Sequence, residues 1–216
     1  MIKAFLLFFE PVQNWDKVAR SQRSLAFIFV TYLLPMVILA SAAEGFGLVH
    51  WGKYRAGAEF QALRPTPFTT SEVVVYEIVQ AVLYIVVVFI AARILKSFGE
   101  TFHGRHTHTQ SFKTIAYGLS PLFVLRLFDA FPSVCPWINW FATWGIGVVL
   151  CVVVLYQGLP RVMMPDPPHA FGLYLMNSLL VVLITGLVRF VTGGYLSGDF
   201  KPVERLVSAI AARLPF

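Results

Sequence analysis

Five apolar blocks divide this chain, at residues 25–43, 73–92, 114–131, 137–159 and 171–191. Each approaches the roughly 20 residues with which a helix, rising about 1.5 Å per residue, crosses a bilayer core about 30 Å thick. Backbone polar groups that enter lipid must be satisfied inside the chain, and for blocks of this length the helix does so. Composition agrees. Charged residues make up 13% and hydrophobic residues 57% of 216, with a mean hydropathy of +0.71, whereas soluble domains carry about 25% charge. The sequence predicts an all-α integral membrane protein: a five-transmembrane-helix bundle over 24–192, with amphipathic interfacial helices in the end segments 1–23 and 193–216.

The third block, Thr114 to Phe131, is the anomalous one. It is apolar enough to cross, yet carries Gly118 and Pro121 in its first half and Arg126 and Asp129 in its second. Proline removes a backbone donor and bends a helix, and charged groups at membrane depth must face protein, water or each other. The other blocks are expected to pack around this one.

Elsewhere, Pro35 predicts a kink in the first block. The second block bears Glu77, Gln80 and Tyr84 at helical spacing, a polar stripe expected to face the bundle interior. The fifth carries Asn177, Thr185 and Arg189. Between the first two blocks, Glu44 to Glu72 is the longest connection, and its Thr69-Thr70-Ser71-Glu72 run resembles a helix cap. Pro160 to His169 reads as a proline-rich loop, and Pro132 to Pro136 as a tight turn. Near the start, Val12, Trp15 and Val18 fall on one helical side after Pro11, which predicts a helix on the membrane surface with Trp15 at headgroup level, the alternative being a helix packed on the protein's own loops. Val203, Leu206, Val207, Ile210 and Leu214 predict a second such helix in the tail, resting on the membrane or contacting another copy. Neither a secretory signal peptide nor a disulfide between Cys135 and Cys151 is expected.

The net charge of +6 does not point to nucleic acid, because the Lys and Arg residues sit singly beside the apolar blocks, as in proteins that meet anionic headgroups. With five crossings, nine basic residues fall on the face of the N-terminus and eight on the other. That count decides nothing, and Lys17, Arg20 and Arg23 directly before the first block favour a cytoplasmic N-terminus. Odd and even crossings run in opposite directions, so Glu44, Glu77, Gln80, Arg126, Asp129 and Arg189 all approach the outer face. Glu77 and Arg126 each lie on the order of 6 to 8 Å inside their block ends. A charge-paired layer is predicted there. Either it lines a cavity for an ion, a lipid headgroup or a small substrate, or its charges neutralise one another to fix helix register or reach back to the interface.

His103, His106 and His108, spaced H-x-x-H-x-H, are a weak candidate for a metal site with no carboxylate or cysteine beside them in sequence. No nucleophile elbow, HExxH or glycine-rich phosphate loop is present. Neither catalysis nor a cofactor is expected.

Four short motifs, taken in order, resemble the bacterial branch of the Yip family of Ypt/Rab-GTPase-interacting membrane proteins. They are P-V-Q-N-W-D-K-V with Pro11 and Trp15, Y-L-L-P with Tyr32 and Pro35, A-Y-G-L-S-P with Tyr117 and Pro121, and L-Y-Q-G-L-P with Tyr156, Gly158 and Pro160. The resemblance covers roughly residues 8 to 192. It implies a five-span bundle in the bacterial inner membrane with its N-terminus in the cytosol and its C-terminus on the opposite face. Eukaryotic relatives work in Golgi and endoplasmic-reticulum trafficking, binding one another and prenylated Rab GTPases. This sequence has almost no N-terminal cytosolic extension of the kind on which partner binding there is thought to depend, so a Rab-related role is not expected. The resemblance assigns no activity to bacterial members; the expectation is a non-enzymatic scaffold or accessory subunit whose partners are the bilayer and other membrane proteins or itself, with a transporter, channel or lipid-translocating protein using the polar layer as the alternative.

Overall fold

A computed structural model describes residues 11–52, 67–104, 107–131 and 136–197. Its described elements are helical in this order: α1 Pro11–Arg20, α2 Leu25–His50, α3 Thr70–Thr101, α4 His108–Gly118, α5 Ser120–Arg126, a 3-10 turn Leu127–Ala130, α6 Pro136–Met163 and α7 Ala170–Ser197. Among the described residues, four helices are long and apolar enough to cross a membrane: α2, α3, α6 and α7. They carry apolar stripes outward. On α3 the exposed residues Ile78, Val82, Val86 and Ile90 repeat every four positions, and on α7 Leu175, Leu179, Leu183 and Leu187 do the same.

The third apolar block is not a fifth continuous helix. It is broken at Leu119, where ψ is 0°, and the run ends in the 3-10 turn. Pro121 cannot donate a backbone hydrogen bond, and the Ser120 hydroxyl instead bonds the Tyr117 carbonyl and the Tyr32 hydroxyl. Every residue from Ser111 to Val124 is buried. The broken run is the axis of the bundle: α4 lies against α3 and α6, α5 against α6 and α2, and the 3-10 turn against α2. Missing side chains let this happen. A Cβ on Gly118 would stand 2.4 Å from Leu155 Cδ2, and one on Gly147 would stand 2.9 Å from Leu122 Cδ1, the close approach by which helices associate in lipid. Gly145, two residues earlier on the same helix, makes no such contact: a Cβ there would meet nothing within 4 Å.

Several helices outrun their apolar blocks. α2 continues past Ala43 to His50, so Glu44 lies within it, and α6 continues to Met163, so Pro160 lies inside a helix and not in a loop. Just before Pro35, α2 widens into a π-helical turn over Phe29–Leu33, a local change of pitch that accommodates a proline. The start of α3 is fixed by a capping box: Thr69 Oγ1 accepts from the Glu72 amide, and the Glu72 carboxylate accepts from the Thr69 amide.

α1 does not present Trp15 to headgroups. Trp15 is wholly buried, packed on α6 where Gly158 leaves room, and its Nε1 donates to the Val154 carbonyl at 3.1 Å. Trp15 and Val18 of α1 thus face protein, whereas Val12 is exposed. Lys113 Nζ closes the end of α1 by donating to the Val18 and Ser21 carbonyls at 3.1 and 2.6 Å, a cation at the negative end of a helix dipole. Asp16 and Arg161 add an exposed ion pair at 3.3 Å, worth little by itself. The predicted tail helix, the 132–135 turn, Cys135 and His106 lie outside the described residues. Cys151 is a buried free thiol.

Candidate functional site

The charged residues of four segments meet around one carboxylate. Glu44, from α2, accepts from Arg126 Nε at 3.1 Å and Nη2 at 2.6 Å, from Arg189 Nη1 of α7 at 3.1 Å, and from the Tyr76 hydroxyl of α3 at 3.1 Å. Arg126 Nη2 also bonds Gln80 Oε1, and Gln80 Nε2 donates to the Tyr76 hydroxyl at 3.1 Å. Glu77 stands 3.7 Å from Arg126, and Asp129 stands 3.8 Å from Arg189 while accepting from Thr143 Oγ1 at 2.9 Å. The Arg126 guanidinium lies 5.0 Å from the centre of the Tyr84 ring, which meets Phe123 edge-on. Glu44, Gln80 and Arg126 are at most 1% exposed.

Each arm is delivered by local structure. Tyr76, Gln80 and Tyr84 repeat every four residues on one side of α3, with Glu77 beside them. Arg126 closes α5, and the 3-10 turn after it carries Asp129 towards α2. Gly45 and Gly47 flank the approach. A Cβ on Gly45 would be 3.3 Å from Glu77 Cγ, and one on Gly47 only 2.0 Å from the Asp129 carbonyl oxygen. Gly47→Ala is therefore expected to push the 3-10 turn off α2 and cost about 1–3 kcal/mol, read as a lowered unfolding midpoint in detergent. An unchanged midpoint would mean that this contact is slack.

Burying these charges does not stabilise the fold through their number. Desolvation offsets most of the Coulomb attraction, whereas removal of one partner strands another. What the arrangement supplies is registration, since Glu44 ties α2 to the end of α5, to α7 and, through Tyr76, to α3.

All six residues expected in the polar layer are in this cluster, and Tyr76 and Thr143 join it unforeseen. Tyr76 stands four residues before Gln80 and could have been read from the stripe. Thr143 could not, since nothing in its sequence surroundings marks it. Most residues of the four family-like motifs pack inside the bundle. Tyr32 and Tyr117 rings lie 4.2 Å apart, Trp15 fills the space over Gly158, Pro121 follows the break after Gly118, and Pro11 opens α1. Tyr156 is exposed and meets Tyr174 edge-on. Of the three spaced histidines, His103 follows the end of α3 and His108 begins α4, while His106 lies outside the described residues.

Membrane-spanning helices wrapped around a buried, glycine-lined axis define an integral, all-helical membrane protein. Within that class, the family model of the Yip1 domain matches residues 5–200. The chain belongs to the Yip1 domain family. No curated protein and no solved structure matches it.

Proposed function

We propose that this Yip1-domain protein is a non-enzymatic scaffold or accessory subunit that binds other membrane proteins, or further copies of itself, through its lateral faces. The observation that carries the reading is the closure of the polar layer. Arg126 and Glu44 are buried and ion-paired at 2.6 Å inside the bundle, across the route a solute path past this layer would take, which leaves the outer surface for function. We further propose that the broken run His108–Ala130 makes a fifth crossing. This puts α1 and the α6–α7 connection on the cytoplasmic side of a bacterial inner membrane, as Lys17, Arg20 and Arg23 favour.

One observation favours a second reading, translocation of a cation or polar headgroup. The layer holds the carboxylates Glu44, Glu77 and Asp129 against the guanidiniums Arg126 and Arg189, and Glu77 sits at its margin with 11% of its side chain exposed. Purification in lipid nanodiscs, with mass spectrometry of what accompanies the chain, separates the two. The scaffold reading expects a stoichiometric membrane partner or a defined homo-oligomer, and no ion or lipid flux in proteoliposomes. A lone monomer whose flux disappears in Glu77→Gln would replace it with the second reading.

A further inference from the structure

At the end of the bundle that holds α1, two connections meet that are far apart in sequence. The first follows α3 and carries His103; the second joins α6 to α7 and carries Asp166 and His169. One ligand atom from each of these exposed residues lies within 4.8 Å of the other two, and the imidazole rings of His103 and His169 are 5.7 Å apart. We propose that His103, Asp166 and His169 form a binding site for a divalent transition metal of the zinc class, clipping the end of α3 to the α6–α7 connection.

The donor chemistry fits that class. Two imidazoles and one carboxylate are a borderline set that suits zinc and its neighbours over calcium or magnesium, and three protein ligands leave a fourth tetrahedral position for water. Bond lengths near 2.0–2.1 Å place tetrahedral ligand atoms about 3.3 Å apart. Small side-chain rotations close the present spacing, and exposed side chains make them freely.

The backbone supports the same conclusion independently. Among the described residues, the non-glycine positions with positive φ are His103 at 54° and Met164 at 45°, one in each connection. α3 ends with the Gly104 amide bonded to the Gly99 carbonyl at 2.9 Å, a termination in which the left-handed residue before that amide is usually glycine. Here histidine takes that position and the glycine comes next. Gly104 is needed for another reason: a Cβ there would lie 3.0 Å from the Met163 carbonyl oxygen, so its absence lets the connections touch. On the other arm, the His169 amide donates to the Asp166 carbonyl at 2.9 Å, holding those two residues in one turn. Backbone strain held where metal-ligating side chains converge marks a site more readily than a chance surface cluster.

The test is zinc chloride titrated into the full chain in nanodiscs after removal of any affinity tag, with cobalt(II) absorption as a second readout of tetrahedral coordination. One equivalent per chain is expected. His169→Ala should weaken binding at least 100-fold, and His103→Gly should do the same while leaving the chain folded, since glycine adopts the left-handed conformation freely. Zinc should raise the unfolding temperature of the parent and not of His103→Gly. Lack of saturable binding would overturn the proposal. So would binding that survives in the double variant His103→Gly/His169→Ala, or binding lost in His106→Gln and His108→Gln but kept in His169→Ala.

Discussion

Glu44→Gln is expected to lower the unfolding stability by about 3–5 kcal/mol, although it changes one atom of a side chain of the same shape. Glu44 accepts from both guanidiniums and from Tyr76. The amide keeps the shape and removes the charge, so Arg126 and Arg189 remain buried as cations around a neutral group. The carboxylates left to them are more distant, Glu77 at 3.7 Å and Asp129 at 3.8 Å. Combining Glu44→Gln with Arg126→Met should cost less than the two changes summed, because each removes the group that the other strands. Denaturant unfolding in a fixed detergent, followed by circular dichroism, measures both quantities. A loss below about 1 kcal/mol for Glu44→Gln would show that the other carboxylates hold the layer together.

The second large effect belongs to the contact between α1 and α6. Trp15→Ala is expected to cost about 3–5 kcal/mol, the usual range for emptying a buried tryptophan site. It should also release residues 11–20 to hydrogen exchange. Gly158→Ala attacks the same contact from the other side, since its Cβ would stand 2.3 Å from Trp15 Cε2, and about 1–3 kcal/mol is expected from such overpacking. The pair should be less than additive, the alanine at 158 filling part of the space that the indole vacates. If α1 stays as protected in Trp15→Ala as in the parent, the buried indole is not what holds it.

The sequence displayed some of this architecture openly and hid the rest for physical reasons. Hydropathy located α2, α3, α6 and α7, because lipid selects a continuous apolar surface along each. It failed at the helix ends, where α2 and α6 continue through Glu44 and Pro160 on contacts with protein. In the third block Pro121 announced a bend, but the full break at Leu119 depends on Ser120 bonding both Tyr117 and Tyr32, the latter 88 positions away. Members of the polar layer were legible because the alternating direction expected of successive apolar blocks puts their charges at one level. Their hub was not, since depth alone does not say which carboxylate faces two arginines. Trp15 misled because an amphipathic turn suits a membrane surface and a protein groove equally. The groove is made by Gly158, which no local pattern connects to Trp15.

The buried run from Ser111 to Val124 also bears on how the protein is made. A segment with no side turned to lipid gains little from entering the bilayer alone, and Arg126 directly after it makes a solitary entry costly. Some of its walls, α2 and α3, leave the ribosome before it, but α6 leaves after it. If the run makes the fifth crossing proposed above, membrane integration cannot proceed as independent crossings laid down one by one. The central segment must wait, shielded by its predecessors or by the insertion machinery, until α6 arrives to close over Gly118.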